Sequence, residues 1–370
     1  MIIYWLTFLI SFSSYHFSFY FRKKVVSFFL KGIAVIIPSL VAAFRDLDVG
    51  KDIATYGLQT FDLAIKSNSF ANPFDLFRDQ AIEIGYIIVN MIVSFFSTSY
   101  HVLFFVLQFI VLVLTVVGCE LLKKNLKQPQ WLFLMYLLFN YCMSFSMLRQ
   151  SIALAVFIVS IRFLLDRKVF LYSLFIFIGF LFHKSILFVY PVYFVPILLE
   201  KYPKVPWYAV LALLGVGLYF FFPSLVPWGI SIGVIEPKYM RYVDDSFSTH
   251  KNNMAFFAFT FFYFFLISKI KNLTPLLKYK QVLICSLSIC AFMIELCGSY
   301  NDVASRVAKY IFLLILVLWF DFFPAFQEKW RINRHVVLLV AFMFVYFLYN
   351  SQSPDGLANT IPYRSSILGI

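Results

Sequence analysis

The stretch FSMLRQSIALAVFIVSIRFLLDRK, residues 145–168, has Arg149 near one end and Arg167 with Lys168 at the other. As a helix, the interval from Arg149 to Arg167 covers roughly 27 Å, close to the hydrocarbon thickness of a bilayer. Read this way, residues 149–165 cross a membrane and leave a cation at each rim. Working outward, apolar runs of similar length recur over the whole chain. The expected spans are 1–21, 25–44, 84–98, 102–122, 130–147, 149–165, 169–183, 185–199, 206–222, 254–270, 281–297, 306–323 and 335–350. Of the 370 residues, 62% are hydrophobic, 13% are charged and 49 are Phe, and the mean hydropathy is +0.85. A soluble domain averages about half apolar residues. The expected fold is all-α, a polytopic integral membrane protein of about 12–14 transmembrane or re-entrant helices. It forms one membrane-embedded domain over 1–370, with external loops at 45–83 and 223–253.

The net charge of +13 does not point to nucleic acid, because the basic residues form no stripe or tail. They lie in small clusters between spans: Arg22/Lys23/Lys24, Lys123/Lys124/Lys127, Arg162/Arg167/Lys168, Lys201/Lys204, Lys269/Lys271/Lys278/Lys280 and Lys329/Arg331/Arg334. This is the cytoplasmic-loop bias of membrane proteins. The five cysteines form no CxxC or Cys/His set, so neither a disulfide framework nor a zinc site is expected. The first 21 residues lack a basic n-region and a small-residue cleavage site, and are read as a retained span.

From residue 123 onward the basic clusters fall on alternate connections, as one orientation demands. Earlier, parity fails by one. If 22–24 is cytoplasmic and 45–83 external, two further spans cannot bring residue 123 back to the cytoplasm. Either 84–98 or 102–122 is re-entrant, or 45–83 itself enters the membrane; the span at 84–98 is the shorter.

The external connections gather polar residues that solubility does not require. They deliver Arg45, Arg149, His183 and Arg306 to one face, with Arg306 and Tyr310 at i, i+4 on one helix. A single arginine at a helix end is ordinarily a snorkelling anchor. Several together suit a pyrophosphate, because the guanidinium fork pairs with phosphate oxygens and keeps its charge. Glu83, Asp48, Asp52, Asp302 or His183 could serve as a general base for a sugar hydroxyl. Asp46-Leu47-Asp48 has the DxD spacing of some metal sites; local salt bridges to Arg45 or Lys51 are the simpler reading. Lys31 and Glu120 are expected to snorkel or pair inside the bundle.

Four stretches, in this order and spacing, resemble the EpsG/Wzy-type polysaccharide polymerases of bacterial surface-glycan assembly. They are FRDLDVGKDIATY (44–56) followed by EIGY (83–86), LRQSIALAV (148–156), FHKSIL (182–187) and SRVAKY (305–310). The resemblance implies a GT-C-like, multi-pass glycosyltransferase of the inner membrane, without a metal or other cofactor. Such an enzyme polymerises undecaprenyl-diphosphate-linked oligosaccharide at the periplasmic face, alongside a flippase and a chain-length regulator. Carried onto this sequence, Arg45, Arg149 and Arg306 become diphosphate ligands. Glu83, Asp52 and His183 become candidates for base or acceptor contacts, and Gln150 and Tyr310 sugar-contacting or supporting groups. The rival classes are a lipid-linked glycan ligase or another membrane-embedded transferase, and a lipid-linked oligosaccharide flippase. A flippase needs charges along a central path, and apart from Lys31 the span middles carry few.

Overall fold

Pro38 lies inside the second helix, where a proline removes the N–H that would bond the carbonyl four residues back. That carbonyl belongs to Ala34, and Ser11 of the first helix donates its hydroxyl to it at 2.5 Å. The defect in one helix thus becomes a staple to its neighbour. The computed structural model that shows this describes residues 1–50, 53–68, 73–77, 82–124, 126, 129–233, 254–267, 274–297, 302–322, 334–351 and 359–370. Among them there are helices and no strands. Ser11→Ala is expected to cost about 1–3 kcal/mol by leaving the Ala34 carbonyl unpaired in an apolar setting. Adding Pro38→Ala, which restores the helical N–H, should recover most of it; thermal unfolding of the four proteins in detergent tests this.

The chain divides into two compact units, Met1–Lys184 with Trp330–Ile370, and Ser185–Lys329. In the first, α1 (Ile2–Phe17) packs on α2 (Lys24–Phe44), α2 packs on α5 (Tyr100–Leu122), and α5 packs on the helix Leu148–Leu165, here α7. Helix α7 is buried around nearly its whole circumference, which explains why its sequence is apolar on every side. Gly118 of α5 lets it approach α7 closely, since a Cβ there would lie 2.6 Å from the Ile158 Cγ2. Between them, α6 (Pro129–Tyr136) passes into a π-helical stretch, Leu137–Tyr141, and a last turn at Cys142–Ser144. Helix α8 (Val169–Phe180) returns along α7.

The helices 24–44, 100–122, 148–165 and 275–297 are long and apolar enough to cross a membrane, and several shorter apolar helices accompany them. The expected all-α, multi-pass membrane protein is what the chain forms. Inside the first unit the Lys31 ammonium pairs with the Glu120 carboxylate at 2.9 Å, and the Tyr15 hydroxyl donates to the same oxygen.

The parity problem has a structural answer. Helix α2 ends at Phe44, and the His101 ring, in the first turn of α5, bonds the carbonyl of Ala43 at 2.6 Å. The chain therefore leaves and re-enters the bundle at one end between residues 45 and 99. Within that excursion lie a π-helical stretch, Ile53–Gln59, then α3 (Thr60–Ser67), a 3₁₀ turn at Pro73–Phe77 and α4 (Ile84–Phe96). Helix α4, about 20 Å long, is too short for a tilt-free crossing. Only Ser97–Ser99 separate it from α5, a link of at most about 14 Å. Helix α4 therefore makes no crossing, and α5 carries the chain to Lys123.

In the second unit, a 3₁₀ stretch over Lys184–Tyr193 begins within the first unit at Lys184 and leads into α9 (Phe194–Lys201). The expected span 185–199 is thus broken; Pro191 lies in the 3₁₀ portion. Helix α10 (Trp207–Ser231), α11 (Met254–Ile267) and α13 (Asp302–Phe322) each pack on α12 (Pro275–Cys297). Helix α10 continues past residue 222, so the expected external segment begins later than 223; its part from 234 to 253 lies outside the described residues. Helix α14 (Arg334–Ser351) belongs to the first unit, where Phe344 and Phe347 pack on Trp5.

Candidate functional site

Arg149 stands in the first turn of α7, and its Nη1 is ion-paired with the Glu83 carboxylate. The pair is largely buried, with side-chain exposures of 10% for Arg149 and 8% for Glu83. The guanidinium lies 3.7 Å from the ring centroid of Tyr56, a cation–π contact that strengthens when desolvated. Tyr56 belongs to the π-helical stretch, and its carbonyl accepts the Tyr86 hydroxyl at 2.6 Å. Glu83 also accepts the Lys184 backbone N–H at 3.3 Å through its other oxygen.

The local sequence EIGY accounts for this arrangement. Glu83 precedes α4 with extended backbone. The Gly85 N–H donates to the Leu181 carbonyl at 2.8 Å, docking α4 on the end of α8. A Cβ at Gly85 would lie 2.7 Å from that carbonyl oxygen, so the approach requires glycine. Tyr86 is fully buried and holds the Tyr56 backbone. Three of these four residues thus serve the placement of Arg149.

Arg45, expected as a third ligand, is 1% exposed. Its guanidinium sits 4.3 Å from the Phe104 ring centroid and 4.4 Å from that of Phe145. It donates to the carbonyls of Ala42 and Phe145. Burial pushes its pKa down to about 10, so it remains charged at neutral pH. It braces the turn from which α7 starts, four residues before Arg149.

The charges after Arg45 have partners that the sequence reading missed. Asp46 accepts both the backbone N–H and the hydroxyl of Ser366 at 2.8 Å. Asp48 pairs with Arg364 at 2.6 Å. The Asp46 N–H donates to the Arg364 carbonyl and the Gly50 N–H to the Asn359 carbonyl. Gly50 has φ +125°, a conformation that favours glycine. The DLD carboxylates therefore clamp Arg364 and Ser366 of the C-terminal segment to the end of α2, where a bridge to Arg45 was expected; Lys51 lies outside the described residues. The Ser366 donors hold the Asp46 carboxyl below the usual range. A lowered pKa means that the clamp contributes stability above about pH 4 and loses it as the pH falls through the folded pKa. Protection of the Ser366 amide from exchange, measured against its intrinsic rate, should therefore fall in acid, and Asp46→Asn should flatten that dependence.

His183 and Gln150 are buried in the first unit, His183 just beyond α8 and Gln150 in the first turn of α7. Asp52 lies outside the described residues, as does the side chain of Asp302. The second unit contains Arg306, half-buried on α13, and Tyr310, fully buried one turn later. The Tyr310 and Ser185 hydroxyls are 3.3 Å apart, a contact within that unit. Among the described residues no cluster of three or more His, Cys, Asp or Glu side chains is placed to hold a metal ion.

Sequence comparison decides the family, because the model of the EpsG family matches residues 28–365, nearly the whole chain. The chain belongs to the EpsG family. The match includes Arg45, Glu83, Arg149 and Arg306, and also the clamped segment as far as Ser365. No curated protein and no solved structure gave a match. Membership of the EpsG family suggests a role in making polysaccharide, as a polymerase of glycosyltransferase type within a multi-pass membrane protein.

Proposed function

We infer that this EpsG-family protein polymerises undecaprenyl-diphosphate-linked oligosaccharide repeat units at the periplasmic face of the inner membrane. The observation that carries the reading is Arg149, fixed by Glu83 and Tyr56 at the end of α7 opposite Arg162 and Arg167. The positive-inside bias places the Arg162 and Arg167 end in the cytoplasm. An arginine at the opposite rim lies at the depth of a lipid's phosphate groups.

In this reaction the bond between the sugar's anomeric carbon and the diphosphate oxygen of the growing chain breaks. A hydroxyl of the incoming unit forms the new glycosidic bond and gives its proton to a base. Arg149 stabilises the negative charge that develops on the departing diphosphate. Glu83 has both oxygens engaged, by Arg149 and by the Lys184 N–H. It therefore acts by positioning Arg149, and His183 and Asp52 are the candidates for the base. Arg45 supports the turn before α7 instead of touching the diphosphate. Gln150, next to Arg149 in the first turn of α7, supports the sugar site. The flippase and the chain-length regulator are the expected partners of this activity.

The test is the surface-glycan ladder of a strain that lacks the gene. A single-repeat band in that strain, restored to a ladder by the wild-type gene, supports polymerisation. Loss of the single-repeat band as well would instead indicate export or ligation and overturn the reading.

A further inference from the structure

Helix α4 has two unlike faces. Gly85, Tyr86, Asn90 and Val93 are buried against the protein. Ile84, Ile88, Ile92, Phe95 and Phe96 form a stripe on the other side, exposed by 44%, 42%, 51%, 66% and 85%. Their spacing is that of one helical face. Because the helix leaves and rejoins the bundle at one end, the stripe runs across that end of the first unit and not down through the membrane. A continuous apolar face of this kind is costly in water and marks an interaction surface. An amphipathic helix of this type lies in the membrane interface with its apolar face among lipid chains.

The stripe also has a charged terminus. Ile84 follows Glu83 directly, and Glu83 holds Arg149. A ligand suited to both features has an anionic head at Arg149 and an apolar tail along α4. Free phosphate would leave the stripe unused. From Ile84 to Phe96 the stripe is about 18 Å long, room for several isoprene units of the lipid diphosphate on which the proposed reaction acts. We propose that the Ile84–Phe96 face is the bed for the polyisoprenoid tail of a lipid diphosphate whose head engages Arg149. The lipid then enters sideways from the outer leaflet. This inference rests on the reading of Arg149 as a diphosphate ligand.

The experiment uses the full-length protein in nanodiscs, with p-benzoylphenylalanine replacing Ile88, Ile92 or, as a control, Phe28, which is 78% exposed on α2. Radiolabelled undecaprenyl diphosphate is the probe. The expected result is photo-adduct at positions 88 and 92 and little at 28. Unlabelled undecaprenyl diphosphate should abolish that adduct, while excess phosphatidylglycerol should leave it. Equal labelling at 28, equal competition by phosphatidylglycerol, or no adduct at 88 and 92 overturns the proposal. If those results come with a ladder that Arg149→Ala abolishes, only the tail path fails. An unchanged ladder with stably expressed Arg149→Ala removes the diphosphate site itself.

Discussion

Arg149→Ala is expected to reduce polymer formation by roughly 100-fold or more, the usual cost of deleting one group aimed at developing negative charge. On a surface-glycan gel the ladder should collapse toward the single-repeat band, with the variant present in the membrane at wild-type levels. Arg149→Lys should recover little, since an ammonium cannot reproduce a planar fork that stacks on Tyr56 while facing Glu83. Glu83→Gln separates positioning from proton transfer. The amide keeps one accepting oxygen, enough for Arg149 but not for the Lys184 N–H as well, so a positioning role predicts a partial loss. A base role would predict a loss as complete as that of Arg149→Ala. The ladders of the three variants, normalised to membrane protein, give the answer.

Gly85→Ala is expected to be nearly as damaging, although it adds only one methyl group. Its Cβ would meet the Leu181 carbonyl oxygen at 2.7 Å and the carbonyl carbon at 3.1 Å. Both are backbone atoms at the end of a packed helix and cannot step aside as a flexible side-chain tip would. Overpacking of this kind costs about 1–3 kcal/mol. It also lifts Glu83 away from Arg149, because the Gly85–Leu181 hydrogen bond lies two residues from the carboxylate. The thermal midpoint in detergent and the ladder should fall together. Gly217→Ala is the control, because a Cβ there meets nothing within 4 Å. It should leave the midpoint unchanged or raise it slightly, since alanine is the better helix former.

The long helices were legible in the sequence because the membrane imposes its thickness on them. The expected spans 25–44, 102–122 and 149–165 differ from the observed helices by one or two residues at their starts. Irregular backbone was not legible. The π-helical stretch over Leu137–Tyr141 lies in a run as apolar as its neighbours. It is stabilised by distant groups, among them the Pro38 carbonyl that accepts the Tyr141 hydroxyl. For the site, residue type and face could be read, but not burial. An arginine at a helix end looks the same whether it faces solvent or, like Arg45, is enclosed by Phe104 and Phe145, which are 59 and 100 residues away in sequence. Asp46 and Asp48 likewise gave no hint of Ser366 and Arg364, because a polar contact across some 300 residues leaves no local pattern. Gly85 stands in the EIGY stretch, but its necessity appears only when Leu181 is placed against it.

The excursion between residues 45 and 99 also bears on how the chain is made. During synthesis α4 reaches the insertion machinery as a largely apolar helix of 13 residues, shortly before the longer α5. If α4 were threaded across as a span, α5 and every later helix would be inverted, and the lysines at 123 and 124 would have to be translocated. Cationic residues within a turn or two of a span resist that passage. These lysines, far from the reacting groups, thus act as a proofreading signal in biogenesis that keeps Arg149 on the correct side of the membrane.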